Sequence, residues 1–125
     1  MNHLNSVILE GMVTAQPILA STPTGIPLAT FSITTVQGNA NGTKDFSTIE
    51  IETWEELAGA CATYLTKGRH IRVHGEIKQD RWSDSHGYPQ SRLKIVAKYV
   101  EFLSRSVTLQ DVTEMEAVSD IQNAS

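Results

Sequence analysis

Residues 67–103 read KGRHIRVHGEIKQDRWSDSHGYPQSRLKIVAKYVEFL. This segment holds eight of the ten Lys and Arg residues but only four of the 14 acidic residues, so its formal charge is +4, whereas the rest of the chain sums to −8. Four aromatic residues are interleaved with the basic ones: Trp82, Tyr88, Tyr99 and Phe102. Positive charge beside flat rings is typical of a surface that binds single-stranded nucleic acid, because phosphates are anionic and bases stack.

The same segment predicts two β-strands joined by a hairpin. Between residues 71 and 78, apolar residues and Gly alternate with polar ones, which is the period of a half-buried strand. Residues 84–87, DSHG, predict a turn, and residues 92–102 predict a final strand. The hairpin between them carries Trp82 and Tyr88.

The preceding part of the chain predicts three strands, at residues 5–13, 28–36 and 44–53. The third has two distinct faces, and the more polar face carries Phe46, Thr48, Glu50 and Glu52. A helix is predicted next. Thr53 and Glu56 have the spacing of a capping box, and Lys67 and Gly68 form a stop signal.

Three strands, one helix and two further strands are the order of an OB-fold. We therefore predict an all-β chain with one helix, a five-stranded Greek-key barrel whose helix lies between strands 3 and 4. The barrel domain is expected at residues 1–103. Residues 104–125 carry four acidic residues and no strand pattern, so they predict a disordered acidic tail or at most a short amphipathic helix.

Bulk composition is that of a soluble cytoplasmic protein. The chain has 125 residues, a net charge of −4 and a single cysteine, Cys61, so no internal disulfide can form. It has neither an apolar run long enough to span a membrane nor the basic start of a signal peptide.

Five sequence motifs resemble the bacterial-type single-stranded DNA-binding proteins (the SSB family). They are NSVILEG, PLATFSITT, TWEELAGACATYLTKGRHIRVHGEI, DRWSD and KIVAKYVEFL, and together they cover residues 4–103. The resemblance implies an OB-fold, homotetramers (or dimers) built on the edge of the first strand at Ser6–Val13, and sequence-independent wrapping of single-stranded DNA. It also implies a nucleoid-associated role in replication, recombination and repair.

Two departures from the family pattern bear on function. The family usually has aromatic rings near Asn39 and at Thr48, and a basic residue near Glu50, whereas this chain is polar there and adds Glu52. The family tail usually ends in an acidic cluster closed by Pro and Phe, which recruits replication and repair proteins, whereas this chain ends DIQNAS. The two departures therefore leave open the alternative that the protein is an accessory, phage or plasmid form.

Four aromatic side chains are candidates for base stacking: Trp82, Trp54, Phe46 and Tyr88. Trp82 could instead cover the barrel mouth, but its polar neighbours favour stacking. Trp54 could instead fix the start of the helix, and Phe46 and Tyr88 could pack locally. Three other rings are expected to be buried, Tyr64 on the helix and Tyr99 and Phe102 in the last strand.

Seven basic residues of the segment are candidate phosphate contacts: Lys78, Arg81, Arg92, Lys94, Lys98, Arg72 and Arg69. The alternative is an ordinary solvated face, since most charge patterns are of that kind. The alternation predicts that Arg72 and Lys78 share one strand face, and that Arg92, Lys94 and Lys98 share another.

Neither a catalytic centre nor a metal or cofactor site is predicted. His70 and His74 lie about 13 Å apart along a strand, too far to share one ion. Cys61 falls on an apolar helix face and is expected to be a buried, unreactive thiol. Two alternatives to DNA binding therefore remain: a primosome-type or accessory OB-fold that mainly contacts proteins, with weak binding of single-stranded DNA or RNA, and an OB domain for another ligand such as RNA.

Overall fold

The computed structural model describes residues 3–103, so the predicted acidic tail at 104–125 lies outside the described residues. Within that range there are six strands and one helix. They are β1 (Val7–Val13), β2 (Ile18–Ser21), β3 (Pro27–Gly38), β4 (Lys44–Trp54), α1 (Glu55–Tyr64), β5 (His70–Ser83) and β6 (Pro89–Phe102).

Five of the strands close into a barrel, in the order β1-β5-β6-β4-β3, and β1 pairs with β3 to complete the circuit. All of these pairings are antiparallel except that of β4 with β6, which runs in parallel through Ile51–Ile95 and Glu52–Val96. The helix lies between the third and fourth barrel strands. This confirms the predicted OB-fold, a closed five-stranded barrel with one helix.

The barrel interior is filled by the inward faces of the strands and by one face of the helix. Its buried residues are Val13, Phe31, Ile33, Ile51, Cys61, Leu65, Ile71, Val73, Ile95 and Ala97. Most are β-branched side chains at alternate strand positions, as the period-2 pattern predicts. Burial of this apolar surface is the main source of stability, at about 25 cal/mol per Å².

A short strand, β2, was not predicted. Its four residues, ILAS, pair antiparallel with β3 from Ile18–Thr30 to Ser21–Pro27. All four are exposed, because β2 lies at the outer edge of β3 and has no buried face. A strand without a buried face leaves no alternation in the sequence.

The predicted capping box at the start of the helix is wrong. Thr53 still belongs to β4 and is fully buried, and its hydroxyl donates to the carbonyl oxygen of Ala29 at 3.0 Å. Trp54 takes the N-cap position without a side-chain capping bond, and Glu55 adopts a positive φ of 58° where strand turns into helix. The predicted stop signal lies beyond the end of the helix. The helix ends at Tyr64, and Gly68, with φ +90°, follows four residues later.

Three aromatic residues that the sequence predicts to be buried are exposed instead. Tyr64 is 66% exposed, Tyr99 56% and Phe102 40%. The register of β5 with β6 explains the exposure of Tyr99. His74 pairs with Tyr99 and Gly75 with Ala97, so a bulge at Lys98 shifts the alternation and turns the ring of Tyr99 outward. Phe102 pairs with Ile71 at the end of β6, and its ring packs edge-on against that of Tyr64.

Gly75 lies at this bulge and allows a close approach of β5 to β6. A Cβ atom at position 75 would lie 2.3 Å from the carbonyl oxygen of Val96, where no side chain fits. Gly59, in the middle of α1, has open space in the same position. Substitution by alanine should therefore have opposite effects on the free energy of unfolding at the two positions.

We expect Gly75→Ala to lower the free energy of unfolding by about 2 kcal/mol, because the methyl group pushes β6 away. Gly59→Ala should raise it by up to about 1 kcal/mol, because alanine is the better helix former. Urea unfolding followed by circular dichroism measures both. Equal effects of the two substitutions would contradict the close approach at Gly75.

Candidate nucleic-acid interface

Beyond the barrel, β5 and β6 continue as a two-stranded arm, formed by residues 78–83 and 89–94. Pairing runs from Lys78–Lys94 to Ser83–Pro89. Because side chains alternate along each strand, Trp82 lies on the same face of the arm as Arg92, whereas Arg81 lies on the opposite face. The arm therefore presents an aromatic ring and a guanidinium together on one side.

Asp84 organises the tip of the arm. One of its carboxylate oxygens accepts hydrogen bonds from the backbone N–H groups of Tyr88 at 3.0 Å and His86 at 2.9 Å, and the other accepts from the side chain of Gln90 at 3.1 Å. The bond from Tyr88, followed by the others, lowers the pKa of Asp84. Sequence reasoning recognised the turn but gave Asp84 no role.

The arm has an open depression of about 420 Å³ beside Trp82. Its lining consists of Arg81, Trp82, Ser83, Pro89, Gln90 and Ser91. Trp82 is 47% exposed and Tyr88, next to the turn, is 66% exposed. Large rings at this exposure are available for contact with a planar ligand.

Strand β4 supplies the second part of the surface. Phe46, Glu50 and Trp54 are spaced four residues apart on one face of the strand, as predicted, and all are half-buried. Phe46 and Trp54 lie about 26 Å apart along the strand. The indole N–H of Trp54 donates to the carboxylate of Glu52 at 2.7 Å, so the ring is fixed at the start of the helix.

Lys94 joins the arm to β4. Its ammonium group forms ion pairs with Glu52 and, at 2.7 Å, with Asp80, and its side chain is only 8% exposed. Burial alone lowers the pKa of Lys94, but the hydrogen bonds to Asp80 and Glu52 outweigh it and raise the pKa above its usual value. The same hydrogen bond lowers the pKa of Asp80. Lys94, a predicted phosphate contact, is thus enclosed by two carboxylates of the protein.

Arg92 lies between β4 and the tip of the arm. Its guanidinium is 3.5 Å from the carboxylate of Glu50 and stands over the ring of Trp82, 5.8 Å from the ring centre. A groove of about 320 Å³ opens beside the Glu50–Arg92 pair. Polar side chains that sequence reasoning missed line it as well: Thr14, Gln16, Thr30 and Ser32.

The remaining basic candidates are spread over several surfaces. Arg72 forms ion pairs with Glu10 and, at 2.8 Å, with Glu101, on the outer side of the barrel. Arg69 stands over Phe102, 5.3 Å from the ring centre. Lys98 is exposed at the bulge, beyond the arm that carries Arg92 and Lys94. Lys78 is exposed on the Trp82 face of the arm.

No group of His, Cys, Asp and Glu residues with the geometry of a metal site occurs within residues 3–103. The same part of the chain contains no helix long and apolar enough to cross a membrane. Cys61 is fully buried, as predicted, and its burial raises the pKa of the thiol to about 11. At that pKa the thiol is protonated at neutral pH and is a poor nucleophile.

A closed five-stranded barrel with an aromatic and basic arm defines an OB-fold protein of the nucleic-acid-binding type. The chain belongs to the single-strand binding protein family, whose model matches residues 4–103.

Curated relatives in two organisms agree with this assignment. A single-stranded DNA-binding protein of Caldanaerobacter subterraneus subsp. tengcongensis is 36% identical over 80% of this chain and 68% of its own length. One from Thermotoga maritima is 33% identical over 97% of this chain and 88% of its own length.

A solved structure shows the same fold. The Plasmodium falciparum SSB complex with ssDNA superposes with a TM-score of 0.76 at 23% sequence identity, over 83% of this chain and 98% of the other.

We expect Lys94→Met to lower the free energy of unfolding by about 3 kcal/mol, because it leaves the buried carboxylate of Glu52 without its cation. Urea unfolding of the purified protein measures the loss. Lys78→Met, an exposed lysine opposite Lys94 in the register, is the matched control and should change stability little. A similar loss in both variants would contradict the structural role of Lys94.

The lowered pKa of Asp80 predicts a dependence of stability on acid. Since the folded-state pKa lies below the unfolded one, the carboxylate adds stability above about pH 4 that is lost as the pH falls through the folded-state value. Asp80→Asn should therefore be less stable than the wild type near neutral pH, and the gap should narrow in acid. Thermal unfolding at a series of pH values tests this, and a gap of constant size would contradict it.

Proposed function

We propose that this protein binds single-stranded DNA without sequence preference, by stacking bases on its aromatic rings and contacting the phosphates with its basic side chains. The observation that carries the proposal is the half-exposed ring of Trp82 with Arg92 beside it on the arm. A ring can stack on any base, since every base has a π-face, and a guanidinium can contact any phosphate. Family membership and the names of the relatives support the proposal.

The DNA path that we propose runs from the arm to β4. Its stacking residues are Trp82, Trp54, Tyr88 and Phe46, and its phosphate contacts are Arg92, Lys78 and Arg81. Lys94 is left out because carboxylates enclose it. Arg72 and Arg69 are left out because they lie beyond the arm with their own partners, and Lys98 because it lies at the bulge.

The protein acts by binding and not as an enzyme, and it supports DNA replication, recombination and repair as the family does. We propose that it works in the cytoplasm, on the nucleoid, as a homotetramer or dimer. The unpaired edge of β1 is available for such assembly, because Val7–Gly11 pair with β5 on one side only among the described residues and Ile8 is 60% exposed. We further propose that residues 1–103 form the binding domain and 104–125 a separate tail.

One observation favours the alternative of an accessory module that mainly binds proteins. Glu50 neutralises Arg92, so the arm carries less free positive charge than its sequence suggests. In that case binding to DNA or RNA would be weak and would not depend on Trp82.

We expect Trp82→Ala to weaken the binding of dT oligomers by about 1–3 kcal/mol, because one stacking contact is lost. Fluorescence anisotropy of a labelled oligomer measures the affinity. With three phosphate contacts, log K should fall with log salt with a slope of about −2.

Tyr64→Ala is the matched control, because Tyr64 is an exposed ring on α1 outside the proposed path. It should leave the affinity unchanged. Equal affinity of Trp82→Ala and the wild type would contradict the proposal and favour the protein-binding alternative.

A further inference from the structure

Arg92 already has an anionic partner inside the protein. Glu50 lies on β4 and Arg92 on β6, the strand that pairs with β4 in parallel next to Ile51 and Ile95. Their side chains meet at 3.5 Å, and they are the only acid and the only cation among the described residues that line the 320 Å³ groove. A phosphate that enters this groove must share Arg92 with the carboxylate of Glu50.

The two glutamates of β4 differ in accessibility. Glu52 is 6% exposed and is held by Lys94 and Trp54, so it belongs to the barrel structure. The side chain of Glu50 is 28% exposed and that of Arg92 57%, so their ion pair stands partly in water. Such a pair is weak and exchangeable. Glu50 can therefore give up Arg92 to a stronger anion, whereas Glu52 cannot give up Lys94 without cost to the fold.

We propose that Glu50 is an internal competitor of the DNA backbone: its carboxylate holds Arg92 in the free protein, and a phosphate displaces it on binding. The proposal rests on the proposed function and specifies what sets the affinity for DNA. The contact of Arg92 with Trp82 gives the displacement a second effect, because a guanidinium that leaves Glu50 also moves relative to the ring on which a base would stack. The carboxylate thus lowers the affinity without removing the site.

The test is Glu50→Gln, which keeps the side chain's size and removes its charge. We expect this variant to bind a labelled dT oligomer about fivefold more tightly at moderate salt, since an exposed ion pair is worth up to about a factor of five in an equilibrium constant. Arg92 contacts the phosphate in both forms, so the slope of log K against log salt should stay at about −2. Because the pair is exposed, thermal unfolding should change little.

Two controls separate competition from a general change of charge. Glu56→Gln removes the same charge from an exposed position on α1 and should not change the affinity. In an Arg92→Gln background, Glu50→Gln should have no further effect, because the cation for which it competes is gone. Equal gains from Glu50→Gln and Glu56→Gln, a gain that persists without Arg92, or no gain at all would each overturn the proposal.

The binding of dT oligomers by the wild type distinguishes a failure of this proposal from a failure of the proposed function. If the wild type binds dT oligomers in a manner that depends on Trp82 while Glu50→Gln changes nothing, only the competition is wrong. If neither the wild type nor Glu50→Gln binds at low salt, the proposed function fails and the competition with it.

Discussion

The parallel contact between β4 and β6 is the constraint on which the rest of the structure depends. It joins β4 to β6 through only two residue pairs, Ile51–Ile95 and Glu52–Val96. On the inner side, Ile51 and Ile95 are buried in the core, and on the outer side Lys94 binds Glu52 and Asp80. Removal of one partner of a buried ion pair is costly, because the other charge remains out of water. The contact thereby fixes the position of the arm, which begins where β6 meets β4.

Ion pairs between strands determine how the charge of the basic segment is distributed. Although residues 67–103 carry a formal charge of +4, several of the cations have carboxylate partners on other strands. Lys94 is bound to Glu52, Arg92 to Glu50 and Arg72 to Glu10 and Glu101. A nucleic acid would therefore encounter a surface with a few available cations around exposed rings. Stacking would then contribute relatively more, and steering by charge relatively less, than the sequence alone indicates.

Much of the fold could be predicted because its signals are local. Alternation identified five strands, and the glycine and polar residues between Trp82 and Tyr88 identified the hairpin. The features that were missed depend on contacts distant in sequence. Lys94 appeared to be a surface lysine because its partner Glu52 lies 42 residues away, and Thr53 appeared to be a cap because its true partner, the carbonyl of Ala29, belongs to another strand. The strand β2 lacks a buried face and so has no pattern to detect.

The bulge at Lys98 divides β6 into two halves whose side chains follow opposite phases. Before the bulge, the residues of β6 form one strand of the arm and the contact with β4. After it, Tyr99 and Phe102 are exposed on another part of the molecule. A one-residue shift of pairing reverses the facing of everything beyond it. Because the bulge absorbs the shift, the two halves of one continuous strand are free to diverge separately. Substitutions that change the chemistry of the arm need not disturb the far end of the barrel, where a different surface can evolve under its own selection.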